Sequence, residues 1–130
     1  MFEFHGWFTV QNSTREQDDQ AMWGIVARLR ERVRRLEWEG NLSAEVRPMN
    51  GTCFLFLHGH KNRRGLVGPE LDGLLLAVGA DAPGSYGVMY WRDPEAGTND
   101  FTVRVMARGR LVDHSDPFLS PVVPTVEDED

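Results

Sequence analysis

The segment that most restricts the fold is CFLFLHGH, residues 53–60, because apolar side chains occupy both its odd and its even positions. Successive side chains of a strand point to opposite faces of a sheet. A strand that is apolar at both sets of positions is typical of a sheet interior covered on both sides. We therefore expect residues 53–60 to form a central strand with cover over each face.

The rest of the chain predicts further strands on either side of this one. Phe2, Phe4, Phe8 and Val10 alternate with more polar residues, which indicates a strand with a phenylalanine face toward the core. Other strands are expected at residues 42–47, 85–92, 100–106 and 110–114. Short loops between sequential strands favour antiparallel pairing.

Two segments carry apolar residues at helical spacing. In the first, Ser13 and Glu16 form a capping-box pattern, and Gly40-Asn41 should end the helix near Glu39. In the second, Gly68-Pro69 should begin the helix and Gly79 should end it. Their apolar stripes are Met22, Ile25, Val26, Leu29, Val33 and Leu36, then Leu71, Leu74, Leu75 and Val78. The predicted fold class is α+β, in the order βαββαβββ, with two helices on one face of a mostly antiparallel sheet of about six strands.

The chain ends DPFLSPVVPTVEDED, in which three prolines interrupt an apolar run before four acids. Proline is excluded from helix interiors and central strands, so residues 116–130 should be an extended tail of a single domain, residues 1–130. We expect Phe118 and Leu119 to pack on the side of the sheet that the helices leave bare. That side is expected to carry Trp7, Met89 and Trp91. The terminal acids should be solvated.

Composition narrows the class of protein. A net charge of −6 argues against a nucleic-acid binder, whose affinity comes from neutralising phosphates, and is compatible with a basic protein partner. No apolar run approaches the roughly 20 residues of a membrane span. The early Glu3 and the lack of a basic start argue against a secretory signal, and the single Cys53 fits a reducing compartment. We expect a cytoplasmic protein that contacts no membrane.

No convincing catalytic or metal site emerges. Cys53 with His58 or His60 has the residue types of a nucleophile and base, but Cys53 begins an apolar run and is better explained as a core residue. A metal at His58 and His60 would need further ligands, and no zinc spacing is present. Asp93, Asp113 and Asp116 lie at strand ends, where aspartate usually forms turns. We therefore predict a binding protein without catalytic residues, cofactor or metal, rather than an enzyme.

An alternative is a nucleic-acid-binding or regulatory module. It would use the arginines of the first helix, Arg28, Arg30, Arg32, Arg34 and Arg35, and the basic loop of Lys61, Arg63 and Arg64. Interspersed acids such as Glu31 and Glu37 favour a solvated helix face instead.

Three stretches resemble a known family: FEFHGW at residues 2–7, GSYGVMYWRD at 84–93 and FTVRVMARGRLVDHSDPFLSPVVPTVED at 101–128. They are similar to the immunity protein 7 family of bacterial polymorphic toxin systems, and residues 12–82 match it in pattern only. The resemblance implies an α+β immunity protein, encoded beside a secreted toxin, that binds and blocks the toxin domain in the producing or kin cell. It implies no catalytic residue and no cofactor.

A toxin's C-terminal domain is thus the expected partner, and nucleic acid is not. Tryptophan dominates protein–protein hot spots, and acidic residues speed association with a basic partner such as a nuclease. The residues predicted to contact the toxin are Trp7, Trp91, Asp93, Asp113, Asp116, Glu127 and Asp128.

Overall fold

The computed structural model describes residues 1–15, 18–97 and 99–119. Its elements follow one another in the predicted order βαββαβββ. They are β1 (Phe2–Val10), α1 (Asp19–Leu36), β2 (Leu42–Met49), β3 (Thr52–Lys61), α2 (Val67–Asp81), β4 (Tyr86–Arg92), β5 (Thr102–Ala107) and β6 (Arg110–Ser115). A 3-10 turn, Pro94–Ala96, lies in the loop between β4 and β5.

The six strands form one sheet in the order β2-β3-β1-β4-β5-β6, and every neighbouring pair is antiparallel. The first strand of the chain therefore lies inside the sheet. β3 also lies inside it, between β2 and β1, as the apolar run at residues 53–60 predicts. The α+β prediction is confirmed.

The core lies between the helices and one face of the sheet, which we call the helix face. Phe2, Phe4, Phe8 and Val10 of β1 are all buried there, as their alternation predicts. The helices and β3 complete the cluster with Met22, Ile25, Leu29, Leu71, Leu74, Leu75, Val78, Cys53, Leu55 and Leu57. Each large apolar side chain buried in this way contributes about 1.5–3 kcal/mol, so the fold rests on this layer.

The opposite face of the sheet, which we call the open face, has no helix over it in the part of the chain that the structure describes. Phe54 and Phe56 of β3 point to it and are only partly buried, with ring centroids 5.9 Å apart. The prediction that Phe118 packs as a cover is wrong, because 72% of that residue is exposed. Leu119 is partly buried. The remainder of the predicted tail, residues 120–130, lies outside the described residues.

Met89 and Trp91 were expected on the bare side, and this expectation is wrong. The register places Met89 opposite Gly6 and Trp91 opposite Phe4, so both side chains belong to the helix face. Met89 is buried, and a Cβ at Gly6 would lie only 2.9 Å from the Met89 Cβ. β4 is apolar at both odd and even positions, so its alternation left the face undecided and the pairing with β1 decides it.

The first helix is shorter than predicted at both ends. Asp18 caps it, accepting hydrogen bonds from the backbone N–H groups of Gln20 and Ala21, so Ser13 is not the cap. Glu37, at φ 53°, ends the helix before Gly40. This early end lets Trp38 pack against the core and donate its indole N–H to Glu70 of α2 at 2.9 Å.

The second helix runs two residues beyond Gly79, so the prediction that this glycine ends it is wrong. Gly79 is buried against Gly109 of the β5–β6 hairpin, where a Cβ would lie 2.1 Å from the Gly109 carbonyl oxygen. The glycine allows a close approach of two backbones rather than a helix end.

Candidate partner-binding surface

One row of side chains on the open face is apolar across five strands. The antiparallel registers bring these residues opposite one another on neighbouring strands. The members, which we call the apolar row, are Phe56, Trp7, Val88, Val105 and Val112. At about 4.8 Å between strands, the row is roughly 19 Å long.

Trp7 lies in this row, on the strand that the sheet order places inside the sheet. It is 43% exposed, and its ring contacts Tyr86 edge to face at a centroid distance of 6.3 Å. Tyr86 itself is 45% exposed. Tryptophan is highly buried on average, so an exposed one held by a second exposed aromatic ring is typical of a binding anchor.

All four histidines of the chain lie on the open face, beside the apolar row. His5 is directly opposite His58, His60 is opposite Glu3, and His114 is opposite Val103. His5 and Glu3 share a 2.8 Å hydrogen bond. The row is therefore bordered on one side by the imidazole rings of His5, His58 and His114.

On the open face, the Glu3 carboxylate has two side-chain partners, His5 and Arg92. Arg92 donates to it at 2.7 Å, and both side chains are 17% exposed. Burial raises the pKa of Glu3, but the hydrogen bond from His5 and the positive charge of Arg92 outweigh burial, so its pKa is lowered. The carboxylate is thus ionised and internally neutralised.

Among the described residues, no group of three or more His, Cys, Asp or Glu side chains is arranged to hold a metal ion. Cys53 points to the helix face and is buried, which confirms its prediction as a core residue. Burial raises the pKa of its thiol, although the charge of Arg30 partly opposes this. The thiol is therefore protonated at neutral pH and a poor nucleophile.

Trp91 and Asp113, both predicted to contact the partner, take part in a network within the chain, and their contact with a partner stays a prediction. Arg104 stacks over Trp91, with 5.9 Å between the guanidinium carbon and the ring centroid. The same guanidinium binds Asp113 of β6 and Asp72 of α2. Burial lowers the pKa of Arg104, but the bond to Asp113, the largest effect, raises it, and Asp72 adds to the rise. The network ties α2 to the sheet, on the face opposite Trp7.

Asp93 and Asp116 hold turns. Asp93 accepts the Glu95 N–H at 3.2 Å and lies 3.6 Å from Arg64. Asp116 is 3% exposed and accepts the backbone N–H groups of Phe118 and Leu119, each at 2.9 Å. Both carboxylates are therefore engaged by groups of the same chain, and their contact with a partner stays a prediction. Glu127 and Asp128 lie outside the described residues.

The arginines of α1 do not form a continuous basic patch. Arg28 pairs with Asp81, and Arg34 and Arg35 both pair with Glu31. In the basic loop, Arg63 pairs with Glu95 and Arg64 with Asp93. These contacts favour the solvated helix face over a nucleic-acid surface.

Four of the five residues of the apolar row were missed from the sequence. Phe56 carried a signal, because the even positions of residues 53–60 are as apolar as the odd ones. Val88, Val105 and Val112 carried none, because a single valine in a strand does not show its face. A further exposed aromatic residue, Trp23 of α1, is 77% exposed on the other side of the molecule.

The charge of the chain is unevenly distributed. All fourteen Lys and Arg residues lie in the described ranges, but only fifteen of the twenty Asp and Glu residues do. The described part therefore has a formal net charge of −1, against −6 for the whole chain. Four of the other five acids are residues 127–130.

Comparison with known proteins gives one match. The family model described as Immunity protein 7 matches residues 1–128. No curated protein and no solved structure matches the chain. In the described ranges, no helix has both the length and the apolar character needed to cross a membrane.

Proposed function

This chain belongs to the Immunity protein 7 family, and we propose that it neutralises one cognate polymorphic toxin by forming a one-to-one complex with the toxin's C-terminal domain. The site of action would be the cytoplasm of the producing or kin bacterium. An inhibitor that acts in this way works by occupying a surface, so it requires no catalytic residue and no cofactor.

The observation that carries the proposal is Trp7 in the apolar row of the open face. Stable protein interfaces have an apolar core with aromatic anchors, surrounded by a polar rim. The open face has this composition, with Tyr86 beside Trp7 and the histidines and the Glu3–Arg92 pair around the row. Exposed apolar surface of this kind on a small domain is typical of a protein interaction site.

The acids of residues 127–130, which include Glu127 and Asp128, would assist by steering. Because the described part of the chain is almost neutral, these four acids carry most of the net negative charge. Opposite charges accelerate diffusional encounter without contributing equally to affinity. A nuclease is a toxin class that fits, since its phosphate-binding groove is positive.

The test is co-expression with the C-terminal domain of the protein encoded by the adjacent upstream reading frame. Growth rescue and co-purification are scored together. We expect the wild type to rescue growth and to co-purify in equimolar amount. A toxic domain that is neither bound nor rescued would contradict the proposal.

Two tryptophan variants locate the interface. Trp7→Ala should weaken the complex by about 2 kcal/mol or more, as expected for a hot-spot residue, and should reduce rescue when toxin expression is raised. Trp23→Ala removes an even more exposed tryptophan on α1 and is the matched control, with rescue unchanged. If Trp23→Ala weakens the complex and Trp7→Ala does not, the interface lies on α1 instead.

The nucleic-acid alternative has its own test. We expect no binding to mixed DNA or RNA at low salt, where electrostatic binding is strongest. Salt-sensitive binding that is lost on replacing Arg63 and Arg64 would restore that alternative.

A further inference from the structure

We infer that the toxin surface bound by the open face is an apolar, uncharged ridge rather than a charged groove, so that affinity comes from the apolar row. This inference rests on the proposed function and specifies the chemistry of its partner. It separates two roles: the row holds the complex, and acids elsewhere only speed its formation.

The first support is the distribution of charge around the row. None of its five members is ionisable, and the row crosses five of the six strands. Apart from the histidines, the charged groups that the registers place on the same face are Glu3 and Arg92, which pair with each other, Glu45, which lies opposite Phe56 at the β2 end of the row, and Arg47 and Arg110 on the outer strands. A charged partner group seated over the row between Trp7 and Val112 would lose its hydration without gaining an opposite charge, which is costly.

The second support is the position of the acids predicted to contact the toxin. Asp113 is bound to Arg104 on the helix face, and Asp116 is buried in its own turn. Asp93 is 8% exposed and faces Arg64. None of these three carboxylates stands on the open face beside Trp7, so they do not form an array there that imitates phosphates.

The third support is the exposure along the row. Trp7 is 43% and Val112 54% exposed, whereas Phe56, Val88 and Val105 are half-buried. Val112 lies on the edge strand β6, so the row is accessible from that side. A ridge up to roughly 19 Å long can lie across it, from β6 to β3, without meeting either helix of the described residues.

The experiment measures binding of purified variants to a catalytically inactivated form of the same toxin domain. Val112→Lys places a charge at the exposed end of the row, and Val88→Thr removes apolar surface near Trp7 while keeping a β-branched side chain. Leu76→Lys, at a 63% exposed leucine of α2, is the matched control for the added charge. Melting temperatures of all variants are measured first, so that loss of binding is not loss of folding.

We expect Val112→Lys to weaken the complex about 30-fold and Val88→Thr about fivefold, with Leu76→Lys unchanged, because only the first two change the buried apolar surface. We expect the wild-type dissociation rate to change less than about threefold between roughly 50 and 500 mM NaCl, because apolar contacts are not screened by salt.

Several results would overturn the inference while leaving the proposed function intact. One is that all three variants bind the toxin domain equally well. Another is that the dissociation rate of the wild-type complex rises tenfold or more between the two salt concentrations. Self-association of the wild type that Val112→Lys abolishes would show a second copy of the chain on the row. A truncation after Leu119 that newly exposes the row to a hydrophobic dye would show the chain's own tail there. Failure of the wild type to bind the toxin domain at any salt concentration would instead reject the proposed function.

Discussion

At the residue scale, single side chains in this protein have uses that their type alone does not reveal. Trp7 and Trp91 are chemically identical, yet one is an exposed candidate anchor and the other is packed under Arg104. Glycines show the same contrast, because Gly79 meets a neighbouring backbone and Gly73, in the same helix, meets nothing. Substitutions at such positions separate the effect of packing on stability from the effect of a residue's intrinsic helix propensity.

Gly79→Ala should destabilise the protein by about 2 kcal/mol, since overpacking of this kind typically costs 1–3 kcal/mol. The new Cβ would lie 2.1 Å from the Gly109 carbonyl oxygen, and neither backbone can move freely. Gly73→Ala is the control and should stabilise by about 0.5–1 kcal/mol, through helix propensity alone. Chemical denaturation of both variants checks this. A stabilised Gly79→Ala protein would contradict the close backbone contact.

Glu3→Gln should destabilise the protein at neutral pH by about 1–3 kcal/mol, because it removes the charge-assisted bond between Arg92 and the Glu3 carboxylate. The pKa of Glu3 is lowered in the folded protein, so its stabilisation is present above the ordinary value of 4.5 and is lost as the pH falls through the folded pKa.

The difference in melting temperature between wild type and Glu3→Gln should therefore shrink as the pH is lowered from 7 through the region below 4.5. Glu45→Gln, an exposed carboxylate on the same face, is the control and should show no such trend. A difference that is constant with pH would mean that the Glu3 charge contributes nothing.

At the element scale, α1 shows that a sequence can contain more than one residue able to begin or end a helix. Ser13 with Glu16 has the spacing of a capping box, but Asp18 is the residue whose carboxylate receives the first N–H groups. At the other end, the left-handed Glu37 stops the helix so that Trp38 can reach the core. Packing of one tryptophan thus outweighs a few further residues of helix.

Asp18→Ala should cost about 1 kcal/mol of stability, the usual effect of losing an N-cap, whereas Asp18→Asn should cost only a few tenths because the amide oxygen still accepts. Thermal unfolding of the two variants is the measurement. If Asp18→Ala is as stable as Asp18→Asn, the helix begins elsewhere.

At the scale of the whole molecule, the two faces of the sheet differ in cover and in burial. The helix face contains the main apolar core, and the open face leaves an apolar row in contact with solvent. Residues 127–130 contribute four negative charges to the net charge of −6. Folding, affinity and association rate should therefore respond to different substitutions.

Removing residues 127–130 should leave the melting temperature unchanged and slow association with the toxin domain roughly tenfold at low salt, because only steering is lost. Stopped-flow measurements at two salt concentrations check this, with the difference disappearing at high salt. An association rate that is the same with and without these acids would exclude the steering role.

The sequence by itself determined the layout of this protein. Alternating apolar residues from Phe2 to Val10 and helical spacing from Met22 to Leu36 follow from backbone geometry, so the element order, the antiparallel sheet and much of the core are local properties. The three sequence blocks at residues 2–7, 84–93 and 101–128 also indicated the family, because their order and spacing along the chain are specific. The strand at residues 53–60 was correctly placed inside the sheet.

Only the tertiary structure decided which face each ambiguous side chain occupies. β4 is apolar at every position from Val88 to Trp91, so its own pattern cannot orient it, and the pairing with β1 sends Met89 and Trp91 inward and Val88 outward. The apolar row likewise exists only after five strands are placed in register. A one-residue change of register would reverse every face, which is why a binding surface built across strands cannot be read from any one of them.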